Sequence, residues 1–185
     1  MGDPRKLTKK YSTPSKLFDK SRIIEEKRLV REYGLKNMRE LWRAMETLRK
    51  IRRQARRLQA LGEEATEAGK PLMNKLQRLG LAKPDSTLDD LLGLTVSDIL
   101  DRRLQTIVYK KGMARTIKQA RQLIVHGFIA VNGQKVSRPS YMVRVDEENN
   151  ITYTKPIDIN AGVIKENTQE EAQASEPQST ETEAS

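Results

Sequence analysis

The chain has 185 residues, 36% hydrophobic and 4% aromatic against 32% charged, with a formal net charge of +10. A core of that size supports one modest domain or two small ones, not a large enzyme cavity, and no apolar run approaches the roughly 20 residues of a membrane span. There is no Cys, which excludes disulfides, zinc knuckles, iron–sulfur clusters and thiol nucleophiles and suits a soluble intracellular protein.

Residues 1–20 read as an extended basic arm. Pro4 and Pro14 break periodicity, and Arg5, Lys6, Lys9, Lys10, Lys16 and Lys20 supply charge. The apolar stretch of a secretory signal is missing from MGDPRKLTKK, so none is expected there. A first helix is predicted after Ser21, its N-cap, with Glu25 and Glu26 near its first turn and Gly34 closing it.

The next helix has the clearest pattern. Asn37 and Glu40 form a capping pair. Met38, Leu41, Met45, Leu48, Ile51, Ala55 and Leu58 recur at steps of three and four and form one apolar face. At about 100° per residue, Arg39, Arg43, Lys50, Arg53 and Arg57 fall within about 40° of a line on the opposite face. Only Glu46 interrupts them. A solvated helix face ordinarily mixes signs to gain pairs four residues apart, so this stripe points to a polyanion.

Residues 62–70 read as a polar loop. A short helix is predicted from Pro71 to Leu79, with Leu72, Met73, Leu76 and Leu79 inward and Gly80 ending it. Another starts at Thr87 and runs through Leu92. Gly62 and Gly69-Lys70 are separated by six residues where a phosphate loop has four, and Pro71 stands where Ser or Thr would hold magnesium.

Thr95 caps a helix with Asp98, and Val96, Ile99, Leu100, Leu104 and Ile107 form its buried stripe up to Lys110, Lys111 and Gly112. Arg103 falls near the centre of that stripe while Arg102 points away. Two readings of Arg103 stand: it reaches past its neighbours to a phosphate, or it pairs with a carboxylate. The next helix begins at Arg115 or Thr116 and ends at Gly127, with Ile117, Ala120, Leu123 and Ile124 inward. Lys118, Arg121 and Gln122 share an acid-free stripe on it. From Phe128 the period becomes two. Asn132-Gly133, between Phe128–Val131 and Gln134–Val136, is a type I′ hairpin signal. Met142, Val143 and Val145 read as a further strand, and Asn150–Thr154 as one more.

Charge is uneven. Residues 1–60 hold 19 basic and 7 acidic residues, and residues 101–145 hold 10 and 1. The tail from Val163 to Ser185 has one Lys and six Glu. It has no aromatic residue and is expected to be disordered. Two basic regions on one small protein point to nucleic acid.

Catalysis has little support. His126 is the only histidine; at a helix C-terminus it suits a structural or phosphate-contacting role, and no nucleophile or orienting acid accompanies it. Glu25-Glu26, Glu63-Glu64, Asp89-Asp90 and Glu147-Glu148 are adjacent pairs of the solubility kind. Trp42, Tyr33 and Phe18 are expected in packing. Tyr11 and Tyr141 lie among basic residues, but one or two rings make no stacking platform for single strands. Shape and phosphate recognition of folded RNA is the expectation.

The run ARTIKQARQLIVHGFIAVNGQKVSRPSYMVRV resembles the small RNA-binding motif named after the fourth protein of the small ribosomal subunit. Alone, that motif does not separate the ribosomal protein from RNA-modifying enzymes or from a free RNA-binding regulator. KLTKKYSTPSKLFDKSRIIEEKRLVREYGLKNMRELWRA and LLGLTVSDILDRRLQTIVYKKGMA resemble the N-terminal region and the junction of the archaeal and eukaryotic branch of the ribosomal protein S-four family. A pseudouridine synthase would need a separate catalytic domain, for which the chain has no room.

The resemblance covers about residues 3–160. It implies an α+β fold: a helical N-terminal region, then two helices packed on a small, mostly antiparallel sheet. The expected division is 1–94 (basic arm and helical rRNA-binding domain), 95–160 (RNA-binding module) and 161–185 (acidic tail). The implied role is a structural constituent of the cytoplasmic small subunit, not an enzyme. Binding of small-subunit (16S) rRNA would nucleate assembly of the subunit body. The implied neighbours are ribosomal protein S-five, with influence on decoding accuracy, other small-subunit proteins, and mRNA where it enters. No cofactor, metal, membrane or free homo-oligomer is expected. The expected RNA contacts are Arg5, Lys6, Lys9 and Lys10 in the arm and Arg39, Arg43, Lys50, Arg53 and Arg57 on the long helix. The module adds Arg102, Arg103, Lys110, Lys111, Arg115, Thr116, Lys118, Arg121, Gln122, His126, Asn132, Lys135 and Arg138. The acidic tail departs from the family pattern, where a basic or short end is expected.

Overall fold

The computed structural model describes residues 9–62 and 65–155. Up to Thr154 these residues group as one compact unit. The tail and the first eight residues lie outside the described residues. The α+β expectation holds: helices dominate, beside one small three-stranded antiparallel sheet.

Helix α1 spans Lys20–Glu32. Its cap is Asp19 rather than Ser21: the Asp19 carboxylate accepts from the Arg22 backbone N–H at 3.5 Å, and the Ser21 hydroxyl donates to that carboxylate at 2.7 Å. Gly34 follows the helix at φ +55°. Helix α2, Met38–Gln59, is capped by Asn37 as expected and buries Leu41, Ala44, Leu48, Ile51 and Ala55. Its 22 residues make a rod about 33 Å long. Only half of the expected capping pair forms, because the Glu40 side chain turns elsewhere.

The segment read as a polar loop is largely helical. Helix α3 runs Ala65–Arg78 with Pro71 inside it. Ala65, Glu67 and Ala68 are good helix formers, and buried Gly69 lets Leu88 pack against the backbone. Leu76 of α3 is fully buried. Helix α4, Asp90–Gly93, begins later than expected, but Thr87 and Asp90 still exchange cap bonds: Thr87 N–H donates to Asp90 at 2.7 Å, and Asp90 N–H to Thr87 Oγ1 at 3.4 Å.

The single helix expected after Thr95 is two. Helix α5 spans Val96–Asp101, with the Thr95–Asp98 capping box intact, and α6 spans Leu104–Lys110. Arg103 between them is extended, at φ −74° and ψ 142°. The break follows from competition for backbone groups. Leu104 N–H donates to Tyr141 O at 2.8 Å, Val143 N–H to Arg102 O at 3.0 Å, and the Thr106 hydroxyl to Leu100 O at 2.7 Å. A neighbouring segment and a side chain thus take the groups that would have continued the helix. That segment is not the expected strand. It makes one antiparallel bridge, Arg103 to Met142, and Val145 opens a short helix, α8, Val145–Glu148.

Helix α7, Ile117–Val125, is capped by Thr116. Strands β1 (Ile129–Val131), β2 (Gln134–Lys135) and β3 (Ile151–Tyr153) lie in the order β2-β1-β3. Asn132 at φ 51° and Gly133 at φ 76° make the type I′ turn. Central β1 is buried at all three positions and does not alternate, because the sheet is covered on both faces there.

Two further expectations fail. Phe18 is exposed, not packed. Glu26 is a buried partner of Arg22 rather than a solubility charge, with the two charges 2.7 Å apart. Glu147 and Glu148 are also engaged, by Tyr141 and Arg102.

Candidate nucleic-acid interface

The apolar stripe of α2 faces the core, so helical geometry forces its other side outward. Arg39, Arg43, Lys50, Arg53 and Arg57 are all exposed, as expected, and none has an acidic partner among the described residues. Arg49 and Arg56 extend this face, and Arg49, Arg52, Arg53, Arg56 and Arg57 line a shallow pocket. The sequence reading missed Arg49 and Arg56 because they sit about 80–100° round the helix from the stripe that it drew. Arg49 lies 3.7 Å from Glu46, while Arg52 donates to Leu94 O at 2.6 Å and ties α2 to the chain ahead of α5.

The module contributes a second basic surface. Lys118, Gln122 and His126 are exposed on α7 and at its end, with Arg115 and Thr116 exposed just before it. The Thr116 hydroxyl is used as the cap, accepting from Gln119 N–H at 3.1 Å. Asn132, Lys135 and Arg138 are exposed on and after the hairpin. The Lys135 stem lies over Gly127, where any Cβ would collide with it. Lys110 pairs with Asp101 at 3.2 Å, and Lys111 Nζ donates to Glu148 O. A small cleft beside Glu40 and Arg103 is lined by Arg43 and Thr47 of α2 and by Ser140 and Met142 of the module.

Three expected contacts are held elsewhere. Arg103 does not reach solvent: its side chain is 6% exposed and its Nη2 lies 2.9 Å from Glu40 Oε2. Of the two readings left open, the carboxylate pair is the one realised. Arg121 bonds to both Glu40 oxygens, at 2.7 and 3.2 Å, and its Nη1 reaches Gln105 Oε1 at 3.4 Å. Arg102 does not point away. It pairs with Glu148 at 2.8 Å and donates to Val143 O at 3.1 Å. Burial pushes the Glu40 carboxyl up, but hydrogen bonds and charge from Arg121 and Arg103 outweigh it and hold the group below its usual value.

The same cluster joins the helical region to the module. Gln105 Nε2 donates to Tyr33 O, Gly34 O and Ile117 O at 3.3, 3.0 and 3.1 Å. The loop between α1 and α2 is therefore bonded to the start of α7 through one buried amide.

Both tyrosines that lie among basic residues are engaged within the fold. Tyr11 packs on Trp42 with ring centroids 6.0 Å apart. The Tyr141 hydroxyl donates to Glu147 at 2.9 Å; burial and then that carboxylate raise its pKa. Lys9 and Lys10 are exposed, whereas Arg5 and Lys6 lie outside the described residues. Among the described residues no three metal-ligating side chains gather, and no helix is long and apolar enough to cross a membrane.

Comparison with known proteins bears on this arrangement. The S4 domain model matches residues 102–149, a span opening on Arg102 and closing just after its partner Glu148. The small ribosomal subunit protein uS4 of Ignicoccus hospitalis is 54% identical over 154 residues, covering 83% of this chain and 93% of that protein. The chain belongs to the uS4 family. The uS4 protein of Saccharolobus solfataricus is also 54% identical, over 155 residues, covering 83% of this chain and 86% of that one. The relatives are of the archaeal type. Members of the uS4 family are structural ribosomal proteins, so the chain is not an enzyme.

Proposed function

We propose that this uS4-family chain is a structural component of the cytoplasmic small ribosomal subunit and binds folded 16S rRNA through two basic surfaces. One is the outer face of α2, with the arm at residues 1–20. The other is the module of 95–160, through Lys110, Lys111, Arg115, Lys118, Gln122, His126, Asn132, Lys135 and Arg138. The division at 94/95 is one of labour between these surfaces, which the Glu40 cluster holds in fixed relation. The observation that carries the reading is the α2 stripe, five exposed cations without a carboxylate partner among the described residues. Like charges at that density repel, and a polyanion relieves the repulsion while releasing its own counterions.

In this reading the rigid pairing of two RNA-binding surfaces lets the protein nucleate folding of the subunit body. Ribosomal protein S-five and incoming mRNA are the proposed neighbours, with an effect on decoding accuracy. The test is affinity for the folded rRNA body domain against an unrelated structured RNA of equal length, across a salt series. Each phosphate contact should contribute roughly 0.7–0.9 to the slope of log affinity against log salt. A large cognate advantage kept at high salt is expected. Coincident curves would reduce the basic faces to an unspecific electrostatic coat.

A further inference from the structure

The turn ahead of α1 and the first turns of α1 present apolar side chains that the fold does not use. Phe18 is 90% exposed, Leu17 61% and Ile24 68%. A turn serving only as a linker favours polar residues, because an exposed aromatic ring gains nothing from folding.

This turn is also heavily built. Arg22 reaches back from α1, and its Nη2 donates to the carbonyls of Lys16 and Leu17 at 3.0 and 3.1 Å. Its Nη1 is held at 2.7 Å by Glu26, which is 3% exposed. Glu26 accepts in turn from Trp42 Nε1 of α2 at 3.4 Å. Asp19 fixes the start of the helix. A buried carboxylate, an arginine and a tryptophan thus hold the backbone leading into Phe18, whose ring is exposed.

Cations outnumber acids around the ring, and the adjacent carboxylate, Asp19, is engaged by the Ser21 hydroxyl and the Arg22 N–H. Lys16 and Lys20 flank Phe18 and are exposed. Ile24 shares a stripe of α1 with Lys20, Lys27 and Arg31, at steps of three and four. The exposed acids of α1, Glu25 and Glu32, lie more than about 100° round the helix. A protein pocket would bury the ring but leave those cations to be neutralised separately. A nucleotide supplies both halves, a flat apolar base and a phosphate.

We propose that Phe18 is a stacking platform for one unpaired base of the bound RNA, with Leu17 and Ile24 beside it and Lys16 and Lys20 on the flanking phosphates. The proposal rests on the RNA-binding reading above. Arg22, Glu26 and Trp42 are positioning residues that hold the platform.

The experiment measures affinity of the full chain for the folded rRNA body domain, with wild type, Phe18→Ala, Phe18→Leu and Phe18→Trp. Base-specific chemical probing of the RNA accompanies it. Thermal unfolding of the free variants should match wild type, since Phe18 is exposed. Phe18→Ala should weaken binding roughly 5- to 100-fold, as for loss of one stacked base, with the salt slope unchanged. Phe18→Trp should restore affinity, Phe18→Leu should not, and one base should become reactive in the Phe18→Ala complex. Wild-type affinity for Phe18→Ala, or full rescue by Leu, would overturn stacking. Unchanged RNA affinity with loss of Phe18→Ala from assembled subunits would assign the patch to a neighbouring protein and overturn it too. Failure of wild type to bind the RNA would remove the wider reading first.

Discussion

Arg121 Nη2 lies 2.7 Å from Glu40 Oε1, joining residues 81 positions apart in the sequence. Arg103 closes on the second oxygen of the same carboxylate from 63 residues away. One glutamate on α2 therefore holds two arginines of the module, and its own side chain is only 17% exposed. Glu40→Ala leaves two guanidinium groups facing each other without their shared anion. We expect a loss of about 3 kcal/mol in unfolding free energy, measured by urea denaturation at neutral pH. A loss within experimental error of zero would mean that solvent replaces the carboxylate.

The same geometry separates two substitutions that look alike in the sequence. Arg121→Glu places a second carboxylate against Glu40 and should both destabilise the fold and weaken RNA binding. Lys118 is exposed on the same helix with no acidic partner among the described residues. Lys118→Glu should leave the unfolding midpoint unchanged and lower rRNA affinity, cutting the salt slope by about 0.7–0.9 for the lost contact. Paired denaturation and binding curves for the two variants check this. Equal behaviour would show that Arg121 is not held by Glu40 in solution.

The cluster also predicts an acid limb of stability. Glu40 has its carboxyl below the ordinary value of 4.5, because the hydrogen bonds and charges of its arginines outweigh burial. The unfolded chain thus binds a proton at this group more tightly than the folded one does. The stability that Glu40 contributes is complete above about pH 4.5 and falls away as pH drops through the lowered value. The gap in unfolding free energy between wild type and Glu40→Gln should narrow from pH 7 to pH 3. A gap that stays constant with pH would place its origin in packing.

Gly34 sits at φ +55°, and a Cβ there would lie 2.5 Å from Ile117 Cγ2. Gly34→Ala should cost roughly 1–3 kcal/mol from backbone strain and overpacking together. Adding Ile117→Ala removes the clash but not the strain, so the double variant should recover only part of the Gly34→Ala loss. Thermal melts of the two variants, with Ile117→Ala as reference, give the coupling.

Thr95 and Asp98 cap α5 reciprocally, with Thr95 N–H donating to Asp98 at 2.7 Å and Asp98 N–H to Thr95 Oγ1 at 3.4 Å. Thr95→Ala should cost about 1 kcal/mol, and Thr95→Ser much less. Equal melting temperatures for the two variants would show that the cap contributes little to this short helix.

Features that depend on near neighbours were legible along the chain. The apolar stripe of α2, the cap at Asn37, the Thr95–Asp98 box and the Asn132-Gly133 turn follow from spacing and local chemistry, and all are present. The outward stripe from Arg39 to Arg57 was legible for the same reason: a helix with one apolar side must expose the other. The tertiary structure alone decided which cations remain available. Arg121 reads like Lys118 until the fold brings Glu40 beside it; the apolar stripe around Arg103 raised a carboxylate partner as one reading, but a pairing across 63 or 81 residues does not show which carboxylate. The break at Arg103 has the same origin, since the Leu104 N–H finds its acceptor on Tyr141, far along the chain. The turn leading into Phe18 is held through Arg22 by Glu26 and Trp42, and the sequence shows their charge and bulk but not their meeting. Local chemistry chose the elements, and long-range competition for hydrogen bonds and counter-charges chose which side chains were left over for a ligand.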